Sequence, residues 1–209
     1  MLPDNLIKSS EERLQQQLEE FFICKWQLTR LWSHDISHHQ RVWGYAKELL
    51  GLSESVIDQS FTDKLLIACY LHDLGMTVDA GEKHGIHSRK LCEEFLSENE
   101  MDSANFADLL QTIENHDKKD YNGSPSHDKL FLMLSVADDL DAFGETGIER
   151  YQEIYLARGI KPEDIGPLIL ENAARRFRNF ETSFSQYPKL IEKYRKSYME
   201  LHDYFQSKR

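Results

Sequence analysis

Ala68-Cys69-Tyr70-Leu71-His72-Asp73-Leu74-Gly75 is an apolar run that ends on an imidazole, a carboxylate and a glycine. Read as a helix, Phe61, Leu65, Ala68, Cys69 and His72 share one stripe, with Gly75 as its end. His72 then lies at the edge of the buried face, and Asp73 sits about 100° around from it. A carboxylate at that inward boundary is costly to bury unless it is paired or bound to a metal. The dipeptide alone decides nothing, because His-Asp also occurs at 34–35, 116–117, 127–128 and 202–203. Its setting does.

The flanking sequence repeats the helical period. Ser9-x-x-Glu12 resembles a capping box, followed by Leu14, Leu18, Phe21, Phe22 and Leu28. A helix starting near His38-His39-Gln40-Arg41-Val42 carries Tyr45, Ala46, Leu49 and Leu50, with Gly51 as its expected stop. Further helices are expected from Glu82 or Lys83 to Leu96, around Phe106–His116, and from Leu130 to Phe143. Asp120-Tyr121-Asn122-Gly123-Ser124-Pro125 is the clearest loop. Beyond Gly147 the histidines give way to aromatics and prolines, and two or three amphipathic helices are expected in 149–209. No strand alternation appears, so the expected fold class is all-α, a single domain over 1–209.

Several classes of function are disfavoured. A net charge of −11 repels polyphosphate backbones, so no nucleic-acid partner is expected. No run of about 18 apolar residues exists, so no membrane span is expected. Cys24, Cys69 and Cys92 are scattered and odd in number, which fits a reducing compartment, and the cytoplasm is the expected location. Nothing in the chain specifies an oligomeric state.

The stripe test that places His72 can be applied to other polar residues. His38 aligns with Val42 and Tyr45, His116 with Ile113 and Leu109, and Asp138 with Leu134, Phe131 and Leu130. One histidine on an apolar stripe is usually a hydrogen-bonded core residue. Four inward polar positions on separate helices instead suggest a polar pocket inside a bundle. His34, His39, His127, His202 and Asp139 are expected at the surface or in caps.

These residues carry a resemblance to the HD-domain superfamily of metal-dependent phosphohydrolases. The matching pieces are Asp35-x-x-His38-x-x-Arg41-Val42-x-x-x-Ala46, Ala68-x-x-Leu71-His72-Asp73-Leu74-Gly75 and Val136-Ala137-Asp138-x-Leu140-Asp141-Ala142-x-Gly144. The resemblance covers about 33–145, leaving 149–209 as a C-terminal helical extension. It implies a helical bundle around a metal held by His38, His72, Asp73 and Asp138. His84, which fits the family spacing to Ser88 better than His87 does, and His116 complete a second metal site in some branches. In others they contact substrate phosphate. Met76 stands where two-metal branches commonly have lysine, and a Gly-Tyr-Pro signature is absent. Both speak against a cyclic-dinucleotide phosphodiesterase or a di-iron oxygenase.

The implied activity is hydrolysis of a phosphoester or phosphoanhydride in a small molecule, expected to be a nucleotide. A divalent ion (Mn, Fe, Co, Ni, Zn or Mg) would activate water and polarise the phosphoryl group. Asp73 would also orient the water, and His116 or His84 would bind substrate oxygens or donate a proton. Lys83, Lys118 and Lys119 flank these histidines. Arg175-Arg176 is expected on an exposed helix face. The alternatives are a di-metal enzyme using all six ligands (a dinucleoside-polyphosphate hydrolase or an oxygenase) and a non-catalytic nucleotide-sensing module.

Overall fold

The computed structural model describes residues 3–53, 57–118 and 128–208, and every regular element among them is helical. Helix α1 (Pro3–Ser10) continues through a π-helical turn, Glu11–Gln15, into α2 (Gln16–Trp26). Then follow α3 (Ile36–Leu52), α4 (Gln59–Leu71), α5 (His84–Glu98), α6 (Ala107–Asn115) and α7 (Lys129–Leu140). The C-terminal part holds α8 (Gly144–Ala157), α9 (Pro162–Ser183) and α10 (Pro188–Gln206). The expected loop at 120–125, with Lys119 and His127, lies outside the described residues.

The centre is α4. Residues 65–71 all have zero exposure, so this helix is apolar on every side and must be surrounded. α1, α2, α3, α6 and α7 pack around it. Carboxylates set the starts of the site-bearing helices. Asp35 accepts from the Ser37 backbone N–H (2.9 Å) at α3, and Asp58 accepts from the Phe61 N–H (2.8 Å) at α4. Asp128 does the same at α7, accepting from the backbone N–H groups of Leu130 and Phe131. Prolines in the first turn start α9 and α10. α10 lies across α8 and α9, and α9 lies on α7.

Some expected boundaries moved. Ser9 does not cap a helix, because the helix already begins at Pro3. Neighbouring Ser10 instead donates to Asp63 (2.6 Å), and Glu11 accepts from the Trp43 indole (2.8 Å). Tertiary partners thus override the local capping signature. Leu28 lies past the end of α2 and is 93% exposed. α3 runs one residue beyond Gly51, and α7 stops at Leu140, with 141–143 turning into α8. α8 spans the position where the composition changes.

Two glycines fix how α5 docks. A methyl group on Gly75 would lie 2.1 Å from the His84 carbonyl oxygen and 2.4 Å from the Ser88 nitrogen. On Gly85 it would lie 2.5 Å from the Glu114 carbonyl oxygen. The start of α5 is therefore pressed onto both the His72-Asp73 turn and the end of α6. The Gly75 N–H donates to Ser88 Oγ (2.8 Å) and closes the contact.

Candidate metal centre

The site forms where α3, the end of α4, the start of α5, the end of α6 and α7 converge. His38, in the first turn of α3, donates through Nδ1 to Asp141 Oδ2 (2.8 Å). Its Nε2 then faces Asp73 Oδ2 (3.7 Å) and Asp138 Oδ1 (3.8 Å). His72, just past α4, donates through Nδ1 to the Cys69 carbonyl (3.1 Å). Its Nε2 is buried with no hydrogen-bond partner, 3.4 Å from Asp73 Oδ2 and 4.0 Å from Asp138 Oδ1. One donor or acceptor atom from each of His38, His72, Asp73 and Asp138 lies within 4.8 Å of all the others. Bonds of about 2.0–2.2 Å to nitrogen and oxygen let one divalent ion span such a set with small adjustments.

Asp73 also belongs to a second group. Its Oδ1 accepts from His116 Nε2 (2.8 Å) and lies 3.3 Å from His84 Nε2, and the three side chains meet the same spacing criterion. Main-chain carbonyls orient both rings: Gly81 accepts from His84 Nδ1 (2.6 Å) and Ile113 from His116 Nδ1 (2.7 Å). Each of the four imidazoles therefore has its Nδ1 engaged and its Nε2 turned inward, the usual support for metal-bound histidine. The mixed nitrogen and oxygen donors and the orphaned His72 Nε2 fit a divalent cation.

The charges agree. Burial would raise the Asp73 carboxyl, but His72, His116 and His38 outweigh it and hold the group well below the usual carboxylate range. Burial disfavours charge on His84, yet the Asp73 carboxylate, the Gly81 carbonyl and Asp117 raise its pKa to about 9. His72 is raised too, Asp73 and Asp138 overcoming its burial. Carboxylates here draw protons onto imidazoles, and a cation would take the place of those protons.

A sequence profile of the HD-CE family matches residues 26–158, more than half of the chain. The chain belongs to the HD-CE family. Neither a curated protein nor a solved structure matches it.

Beyond the two donor groups, the HD-CE segment contains a buried ionic lock. Asp141, whose carboxyl is lowered to about 2 because Arg150, His38 and Arg41 outweigh its burial, accepts from Arg41 Nε (2.7 Å) and Arg150 Nη1 (2.7 Å). Arg150 also donates to the Ser33 carbonyl (2.7 Å), and its Nη2 lies 3.4 Å from His38 Nε2. The sequence shows Asp141 three residues after Asp138, hence on the same face. Arg150 gave no such signal, since a charge on an amphipathic helix defaults to solvent.

A cavity of about 240 Å³ opens onto the donor groups. His34, Asp73, His84, His116 and Asp138 form one side, and α8 and α9 form the other, with Arg150, Ile154, Tyr155, Arg158 and Arg176. Four surface or exposed-face expectations are corrected here. His34 is buried at the cavity, bonded to Ser33 Oγ (2.8 Å) and 3.7 Å from Asp73; burial and the charge of Arg150 keep it neutral, well below its ordinary pKa. His39 is fully buried beneath His38 and His72, donating to the Cys69 carbonyl (2.9 Å), and burial lowers its pKa as well. Asp139 is fully buried and pairs with Arg176 (3.0 Å) and Asn179. Arg176 reaches the cavity and also contacts Asp138 (3.3 Å), whereas Arg175 stays exposed beside Glu171.

The remaining expectations are simply placed. His202 is at the surface beside Asp203, and His87 joins neither donor group. Lys83 and Lys118 are exposed, Lys118 bonding Asn115.

Proposed function

We propose that this chain is a metal-dependent hydrolase acting on a phosphoester or phosphoanhydride of a small molecule, with a nucleotide as the substrate class. The observation that supports it is Asp73, buried at the cavity with each carboxylate oxygen turned to a different set of fixed imidazoles. His38, His72, Asp73 and Asp138 would hold a divalent ion (Mn, Fe, Co, Ni, Zn or Mg). Such an ion supplies Lewis acidity toward a phosphoryl oxygen and toward the attacking water. Asp73 would orient that water, and His84 and His116 would bind substrate oxygens or pass a proton to the leaving oxygen. Arg176 brings positive charge to a cleft in an otherwise acidic protein.

The test is metal analysis together with turnover of a nucleotide panel and a generic phosphodiester, repeated on His72→Ala. Metal content and turnover both lost in a folded His72→Ala protein support the reading; undamaged activity overturns it. Binding of a nucleotide without turnover in metal-loaded protein would make the chain a sensing module instead.

A second reading rests on the His84 and His116 group. Because Asp73 is shared, two ions would sit side by side, as in a di-metal hydrolase. Two metals per chain, with one lost in His84→Ala or His116→Ala, would favour it. Among the described residues no helix is long and apolar enough to cross a membrane, and the three cysteines are free. We place the chain in the cytoplasm with a small phosphorylated substrate as its partner.

A further inference from the structure

The donor groups account for one side of the cavity but not for the other. α8 and its C-cap present Arg150, Ile154 and Arg158 to it at intervals of four residues, Arg158 being the C-cap residue just past Ala157, with Tyr155 beside Ile154. At 1.5 Å of rise per residue, the backbone positions of Arg150 and Arg158 are roughly 12 Å apart. The two cations differ in their commitments. Arg150 is buried and held by the Ser33 carbonyl, the Asp141 carbonyl and the Asp141 carboxylate. Arg158 is exposed at the mouth, where its Nη2 donates a long hydrogen bond to the Ala80 carbonyl (3.4 Å). That contact lays it across the opening, against the segment joining Asp73 to His84.

Between the two arginines the wall is apolar. Ile154 forms a small separate hydrophobic cluster with Leu31 and Met76, and Tyr155 packs against it. Met76, Ile154 and Tyr155 all line the cavity. A molecule lying along α8 from the donor groups would therefore meet charge, then an apolar surface, then charge again. Cleaving a phosphate at the donor groups needs no cation at the far end.

We infer that Arg158 is a specificity-determining residue that binds a second phosphate of the substrate, beyond a sugar that rests on Met76, Ile154 and Tyr155. The preferred substrates are then nucleotides with two separated phosphates rather than nucleoside monophosphates. This rests on the hydrolase reading for the chemistry at the near end, but the second-phosphate subsite can be tested without turnover. The cavity is too small to enclose such a molecule whole, which agrees with Arg158 being at the opening.

The experiment is calorimetric titration of adenosine 5′-monophosphate and adenosine 3′,5′-bisphosphate into wild-type, Arg158→Ala and Arg158→Glu proteins, both chelated and Mn-loaded. In wild type the bisphosphate should bind on the order of 10-fold more tightly. Arg158→Ala should reduce that ratio to within about twofold, and Arg158→Glu should reverse it. Arg158 is exposed, so both variants should fold, with thermal melting as the check. Equal affinities in wild type, no binding of either probe, or an unchanged ratio in Arg158→Ala overturns the inference. If wild type hydrolyses nucleotides while the affinities are equal, only this inference falls. If hydrolysis is absent but the ratio and its collapse persist, the hydrolase reading falls and the subsite stands.

Discussion

The two oxygens of Asp73 face differently built surroundings. On the Oδ2 side, His38 is backed by Asp141, which is itself held by Arg41 and Arg150, and Asp138 is backed by Arg176. On the Oδ1 side, His84 and His116 lean only on the main-chain carbonyls of Gly81 and Ile113. A carboxylate behind an imidazole raises its basicity, and a peptide carbonyl does so less. On the proposed reading, the carboxylate behind His38 would let the first group hold an ion more tightly, and the second would take a weaker, exchangeable ion or substrate.

The largest effect should come where the two surroundings meet. Asp73→Asn removes the shared charge, so bound metal and turnover should both fall to background, as metal analysis and a phosphatase assay would show. His72→Ala should likewise lose the ion of the Oδ2 side and turnover with it, while leaving the His84 and His116 group in place. Next in size is the ionic lock. Asp141→Asn should weaken metal binding roughly 10–100-fold, read by competition with a chelating dye. Arg150→Met leaves a buried carboxylate short of a partner and should cost about 3–5 kcal/mol in denaturant unfolding. If either variant matches wild type, the two sides are not built differently after all.

The Oδ1 side should show itself through pH. The folded His84 pKa of about 9 exceeds its unfolded value near 6.5. Its charge therefore stabilises metal-free protein below about pH 6.5, and that stability is lost as pH rises toward 9. Melting temperatures of chelated wild type should fall across this window, and His84→Gln should flatten the profile. Metal binding should run the opposite way, strengthening as protons leave. The smallest contrast is between neighbours on α9. Arg176→Ala strips a cation from the Asp138-Asp139 pair and should cost about 1–3 kcal/mol. Arg175→Ala, next to it but exposed, should stay within about 0.5 kcal/mol.

The same contrast explains what could be read from the sequence. His38, His72, His116 and Asp138 lie on apolar stripes of their own helices, so local periodicity is enough to turn them inward. The convergence of those stripes on α4 gave the all-α bundle as well. His39, next to His38, is buried because Phe22 from α2 covers it, which no local pattern records. His34 precedes α3, and only the approach of α8 encloses it. Asp139, Arg150 and Arg176 are inward because they pair with one another or with Asp138 and Asp141 across helices. Such mutual burial is a property of pairs distant in sequence, and each member alone looks like an ordinary surface charge.

The tight seating of α5 carries a consequence for how such proteins diversify. Gly75 and Gly85 are not donors themselves, yet they set how near His84 and His116 come to the shared carboxylate. One added methyl group at either would push the helix outward while leaving every imidazole and carboxylate in the chain intact. On the two-ion reading, a lineage could in this way trade a paired-ion centre for a solitary one through a single small residue that no inventory of coordinating side chains would flag.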